Sequence, residues 1–141
     1  MTIQQISVFL ENKFGRLHEI LSLIANDEIR IIAATVSDTS EFGILRLVTT
    51  DPHKTFQILK NHQISSNISE VFAIVTDRNS GQITQTIEHF TQAGLSIEYM
   101  YCFSTSKAGF LILRTNNLEA ARNVIRRASL VCVDQAHIAD L

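Results

Sequence analysis

The spacing of apolar residues changes several times along the chain, and each change marks an element. Ile6, Val8 and Leu10 alternate with Gln5, Ser7 and Phe9, the two-residue period of a strand with one buried face. Leu17, Ile20, Leu21 and Ile24 then fall at the three- and four-residue steps of an amphipathic helix, and Asn26 and Asp27 punctuate its end. The β-branched run from Ile29 to Val36 predicts a second strand, Asp38 to Gly43 a turn, and Ile44 to Thr49 a third strand. Asp51 and Pro52 predict the start of a second helix. A carboxylate can accept from free helix N–H groups, and a proline at the first helical position leaves no N–H unpaired. The stripe of that helix is Thr55, Ile58, Leu59 and His62, and Ser65 to Ile68 reads as a weak fourth strand.

The pattern then repeats. Gly81 follows Gly15 by 66 positions, and the same ungapped offset places Ile97 on Ile31, Gly109 on Gly43, Leu111 on Leu45, Leu113 on Leu47 and Thr115 on Thr49. In the second copy Asn117 takes the cap position, and the stripe becomes Ala121, Val124, Ile125 and Ala128. Arg126 and Arg127 follow at the helix C-terminus, where the macrodipole favours cations. Leu130 to Asp134 predicts the last strand. The expected fold is α+β: two ferredoxin-like βαββαβ modules in tandem, 1–69 and 70–141, each an antiparallel sheet with helices on one face. Strand parity leaves Val71, Ala73, Val75, Phe110 and Ile112 of the second copy on the face away from the helices. Such a patch predicts cover by another module, within the chain or in a homodimer, with a two-fold dimer pairing the second-copy faces as the preferred arrangement.

Composition narrows the function. Of 141 residues, 45% are hydrophobic, with one Pro and five Gly, which suits a folded globular chain. The net charge is -2 and no basic run exceeds Arg126-Arg127, which argues against a nucleic-acid partner. No segment is long and apolar enough for a membrane span or a leader, so the expectation is a cytoplasmic protein. Cys102 and Cys132 lie in apolar stretches and read as buried, reduced thiols, with a disulfide between them as the alternative.

This plan serves metal carriers, RNA binders, ligand sensors and a few enzymes, and the residues discriminate among them. The loop after the first strand holds no thiol in either copy, and the five histidines have no chelating spacing, so no metal or other cofactor is expected. The third strand of the second copy offers only Phe110 for base stacking, and its counterpart in the first is Ile44. No nucleophile and base stand together as a catalytic set, and the expectation is not an enzyme. What remains is the loop itself. A glycine before a helix allows a tight turn and close ligand approach, and the N–H groups that follow suit a carboxylate. Asn12 can complement them, since an amide accepts from an ammonium and donates to a carboxylate.

The stretch Glu11-Asn12-Lys13-Phe14-Gly15-Arg16-Leu17 resembles the ligand loop and first helix of ACT domains. Gly94-Leu95-Ser96-Ile97-Glu98-Tyr99-Met100-Tyr101 resembles the second-strand region of small stand-alone tandem ACT proteins. The resemblance implies a non-catalytic regulatory protein binding a small molecule, most simply an amino acid, at the loop and module interface. It also implies an enzyme or regulator that responds. Candidate ligand residues are Asn12, Phe14, Gly15, Arg16 and Leu17 in the first copy, and Asn79, Ser80, Gly81, Gln82, Ile83, Tyr99, Met100 and Tyr101 in the second. Phe14 and Ser80 stand where such loops usually carry proline, and Arg78 stands opposite Asn12, which points to a degenerate second site or one ligand shared asymmetrically. Plainer roles stand beside these: glycines that only turn the chain, Ser80 as a helix cap, Tyr99 and Tyr101 as core residues. The alternative function is a ligand-free interaction or dimerisation subunit.

Overall fold

The structure, a computed structural model, describes residues 1–25, 28–38, 41–76 and 80–141, with the Ser80 side chain outside that description. The expected helix end at Asn26 and Asp27, part of the Asp38–Gly43 turn, and the loop residues Arg78 and Asn79 therefore lie outside the described residues. The elements are β1 (Ile3–Glu11), α1 (Arg16–Ala25), β2 (Ile31–Asp38), β3 (Phe42–Thr49), α2 (Pro52–Asn61), β4 (Ser66–Thr76), α3 (Ser80–Gln92), β5 (Ile97–Ser104), β6 (Gly109–Thr115), α4 (Leu118–Arg127) and α5 (Gln135–Ala139). Two tandem βαββαβ units result. One comprises Gln4–Ser69 with Ile138–Leu141, and the other comprises Met1–Ile3 with Glu70–His137.

In the first unit β3 lies between β1 and β2, antiparallel to both, with Leu10 opposite Gly43 and Gly43 opposite Asp38. The Phe9 N–H donates to the Ser65 carbonyl, which lays the approach to β4 alongside β1. Parity then sorts the side chains. Ile6, Val8, Leu45 and Leu47 meet Ile20, Ile24 and Leu59 in one core. The opposite face is more polar, as the sequence suggests: the buried Gln5 amide donates to Ser7 Oγ, and Arg46 donates to Ser37 Oγ. Asp51 caps α2 as expected, its Oδ1 accepting from the Lys54 N–H at 3.0 Å. A cap of this kind contributes about 1 kcal/mol. His62, placed by periodicity on the buried stripe, is instead the exposed C-cap residue of α2.

The second unit repeats the scheme, with β6 between β4 and β5. Phe72, Ile74, Leu111 and Leu113 pack on Phe90, Ala121 and Val124. Asn117 caps α4, its Oδ1 accepting from the Ala120 N–H at 3.0 Å. The last strand shortens to one bridge, Ile74 with Cys132, held by the Val75 N–H on the Val131 carbonyl and the Val133 N–H on the Ala73 carbonyl. An unanticipated short helix, α5, follows; the Asp134 carboxylate accepts from the His137 N–H at 2.9 Å. The weak strand at Ser65–Ile68 and the first strand of the second copy form one eleven-residue element, β4.

The apolar second-copy face is largely buried in the single chain, with Val75 half-buried. Val71, Ala73 and Ile112 have no exposed surface, and Phe110 is 2% exposed. The Phe103 ring stacks on Phe110 with centroids 4.9 Å apart, and His137 flanks it at 6.5 Å. Burial of this face therefore requires no second copy, which removes the motive for a dimer through it. The cysteines correct another expectation: Cys102 is exposed and Cys132 half-buried, both as free thiols. Among the described residues β5 pairs with β6 alone, so Cys102 receives less cover than a central strand would give. Desolvation pushes both thiols above the usual cysteine range.

Candidate functional site

The loop after β1 turns at Gly15, whose φ of +81° lies in the left-handed region that side chains other than glycine rarely adopt. The turn sends the chain into α1. The Arg16 N–H donates back to the Lys13 carbonyl and the Glu19 N–H to the Gly15 carbonyl. Between them, the N–H groups of Leu17 and His18 have no acceptor among the described residues, the usual condition of a first helical turn.

Below this helix end the sheet leaves a gap. Leu10, Gly43, Val36 and Asp38 share the sheet side that carries the helices, because Leu10 pairs with Gly43, Gly43 with Asp38, and Val36 with Leu45 of the core. Gly43 has no side chain to fill the space, and a Cβ there would meet the Ser37 carbonyl oxygen at 3.3 Å and Leu10 Cβ at 3.4 Å. The result is a hollow of about 210 Å³ lined by Leu10, Glu11, Asn12, Lys13, Arg16, Leu17, Val36, Asp38 and Gly43.

Its charges are unequally satisfied. Lys13 Nζ lies 3.0 Å from Glu11 Oε2, and this hydrogen-bonded ammonium, helped by Arg16, holds the Glu11 carboxyl below the usual carboxylate range. Both side chains are mostly exposed to solvent, so the pair holds them together only weakly. Arg16 spends one terminal nitrogen on Glu19 Oε2 at 3.1 Å, while its Nε is buried with no partner among the described residues. The Asp38 carboxylate has no partner among the described residues. Arg16 and the exposed Asp38, of opposite charge, thus both line the same hollow.

Of the expected first-copy residues, Asn12, Arg16 and Leu17 line the hollow and Gly15 sets the turn, while Phe14 is fully exposed and outside the lining. Leu17, expected on the buried helix stripe, is 37% exposed at the lip. Sequence reasoning missed Leu10, Glu11, Lys13, Val36, Asp38 and Gly43 as lining residues. The available signal was Gly43, which the repeat aligns with Gly109 but which was read only as part of a turn.

The second copy is built differently at the matching places. Gly81 has no positive φ and lies inside the first turn of α3, which begins at Ser80, so it does not form the turn that Gly15 forms. Gln82 and Ile83, in register with Arg16 and Leu17, are half-buried within that helix. Ser104 faces Gly109 where Asp38 faces Gly43, and a Cβ on Gly109 would meet Thr76 Oγ1 at 2.8 Å. Thr76, the counterpart of Leu10, is itself buried, so its hydroxyl occupies the space beside the glycine. Tyr99 and Tyr101 are half-buried and Met100 is 44% exposed on the edge strand β5. Among the described residues no three His, Cys, Asp or Glu side chains form a metal-binding group, and no helix is long and apolar enough to cross a membrane.

Comparison with known proteins gives these observations a frame. The family model of the ACT domain pair matches residues 1–141. The crystal structure of protein BT0572 from Bacteroides thetaiotaomicron superposes with a TM-score of 0.92 at 29% identity, covering 100% of this chain and 98% of that one. The ligand-free regulatory subunit of aspartate kinase from Thermus thermophilus shares the fold, with a TM-score of 0.61 at 13% identity over 89% of this chain and 91% of that one. No curated protein sequence matches. The family is of a regulatory type, and the match indicates no catalytic family. The chain belongs to the family of ACT domain pairs.

Proposed function

We propose that this protein is a non-catalytic sensor of a free amino acid, held in the hollow of the first unit. The observation that carries the reading is that Arg16 and Asp38, of opposite charge, line one hollow at the first turn of α1. A zwitterion satisfies both. Its carboxylate takes the Leu17 and His18 N–H groups and Arg16, where helix dipole and guanidinium act together. Its ammonium takes Asp38, with the Asn12 amide beside it. The second copy carries Ser104 in place of the acid, with Thr76 beside Gly109, so one ligand per chain is the expected stoichiometry. An enzyme or regulator that distinguishes the filled from the empty state completes the function. The rival reading, an interaction subunit without a ligand, gains support from the fully exposed Phe14.

Calorimetry on Asp38→Asn tests the placement. A hydrogen bond to a charged group contributes about 1.5–3 kcal/mol, so affinity for the amino acid should fall roughly ten- to a hundredfold. The ligand's deaminated analogue should bind wild type and variant alike. Unchanged amino-acid affinity in a folded Asp38→Asn protein removes Asp38 from the site.

A further inference from the structure

We infer that the second unit binds an amphipathic anion, a carboxylate or phosphate joined to a short apolar chain, in a groove beside α4. Arg122, Ile125, Arg126 and Ser129 lie three or four positions apart, which puts them in one stripe along α4 and its end. All four line a groove whose other walls include Phe72 and Leu130. The groove lies within the second unit and shares no lining residue with the hollow after β1.

The repeat shows what the fold alone requires at this place. The offset of 66 puts Ile6 on Phe72, Phe56 on Arg122 and Lys60 on Arg126. Phe56 packs against the core of the first unit. The second unit carries a half-buried arginine there in place of the ring. A cation in the last helical turn is common to both copies and suits the macrodipole. Arg122 stands further from that end, and it is the charge that the second copy adds.

That charge is poorly met inside the chain. Glu119 Oε2 stands 3.5 Å from Arg122 Nη1, beyond the roughly 2.7–2.9 Å of a charge-assisted hydrogen bond. Arg126 has no partner among the described residues. Like charges four positions apart also disfavour the helix that carries them. An anion set against both arginines relieves the repulsion, and a planar guanidinium pairs with a carboxylate or phosphate through two N–H groups. Beside this charge, Ile125 and Leu130 are half-buried at the groove and offer apolar surface to an alkyl chain. A bare anion leaves that surface wet, and a neutral chain leaves the arginines unmatched.

The experiment is titration of the full chain with hexanoate, hexyl phosphate, hexanol and inorganic phosphate, followed by amide NMR spectra. The expected result is saturable binding of hexanoate or hexyl phosphate that moves the signals of Arg122, Ile125, Arg126 and Ser129. The tighter of the two acids names the headgroup. Hexanol and inorganic phosphate should bind at least about tenfold more weakly, and Arg122→Gln should weaken the acid by about the same factor. Arg122→Phe, which restores the first-copy residue, should abolish binding and keep the melting point at or above that of the wild type. Should Arg122→Phe misfold, Arg122→Gln decides alone. Hexanol binding as tightly as the acids removes the anion, and inorganic phosphate doing so removes the apolar chain. Affinity for the acid unchanged in a folded Arg122→Phe chain moves the site elsewhere. Each of these results overturns the inference, as does the absence of binding by both acids at millimolar concentration.

Discussion

Phe110→Asp should abolish cooperative folding. Phe110 is 2% exposed on a central strand, with Phe103 stacked on it at 4.9 Å. Removing a buried phenylalanine ring costs about 3–5 kcal/mol through lost burial and the cavity left behind. The aspartate puts a carboxylate at a position only 2% exposed, beside Phe103 and His137, and burying it there costs several kcal/mol more. The sum approaches the roughly 5–15 kcal/mol that holds a typical domain together. Phe110→Leu, which keeps an apolar group of similar reach, should lose only about 1.5 kcal/mol. Thermal unfolding followed by circular dichroism separates these outcomes, and sedimentation of the wild type at the same concentrations adds the oligomeric state. A Phe110→Asp protein with a wild-type melting curve would mean that this face is open to solvent in solution.

Gly15→Asp should eliminate ligand binding while leaving a folded chain. A Cβ built on Gly15 meets nothing within 4 Å, so the side chain has room. The φ of +81° disfavours a side chain there by about 1–2 kcal/mol, and aspartate is among the residues that tolerate this region best. A carboxylate at that position sits where a helix cap sits. It takes up the Leu17 and His18 N–H groups assigned to the ligand and repels the ligand's carboxylate. Losing two hydrogen bonds to a charged group, at about 1.5–3 kcal/mol each, weakens binding by at least about a hundredfold. Gly15→Ala carries the same backbone strain without the charge and should retain measurable binding. Equal affinities for wild type and a folded Gly15→Asp chain would place the ligand elsewhere.

The contrast between these two sites shows which parts of the structure are written locally. Phe110 could be assigned to a sheet face from the two-residue period alone, and its strand is buried on both faces, as the unbroken apolar run suggests. Asp51 and Asn117 were legible as caps because a cap depends on residues three positions away. The hollow was half legible for the same reason. Asn12, Arg16 and Leu17 sit in one loop, whereas Val36, Asp38 and Gly43 reach it only through the register of three strands. Nothing near Asp38 in the sequence says that it lies across Gly43 from Leu10.

The second copy shows how an alignment can mislead. An offset of 66 places Gly81 on Gly15, but α3 begins at Ser80 and absorbs Gly81 into its first turn. Residue identity is shared there and backbone conformation is not. The last strand fell short for a related reason. Leu130 to Asp134 is apolar enough for a strand, yet Val131 is 62% exposed and only the residues near Cys132 pair with β4. The Asp134 cap then starts α5, a helix of five residues too short to carry an apolar period.

Thermal unfolding of the wild-type protein in the presence of each of the twenty amino acids tests the central claim most directly. A ligand that binds only the folded chain stabilises it by about 2.7 kcal/mol at a hundred times its Kd, an upward shift of several degrees for a protein of this size. The expected result is such a shift for one amino acid or a small related set, rising with concentration and absent for that ligand's deaminated analogue. A chain whose melting point stays constant with all twenty at millimolar concentration would contradict the account and leave the interaction subunit as its function.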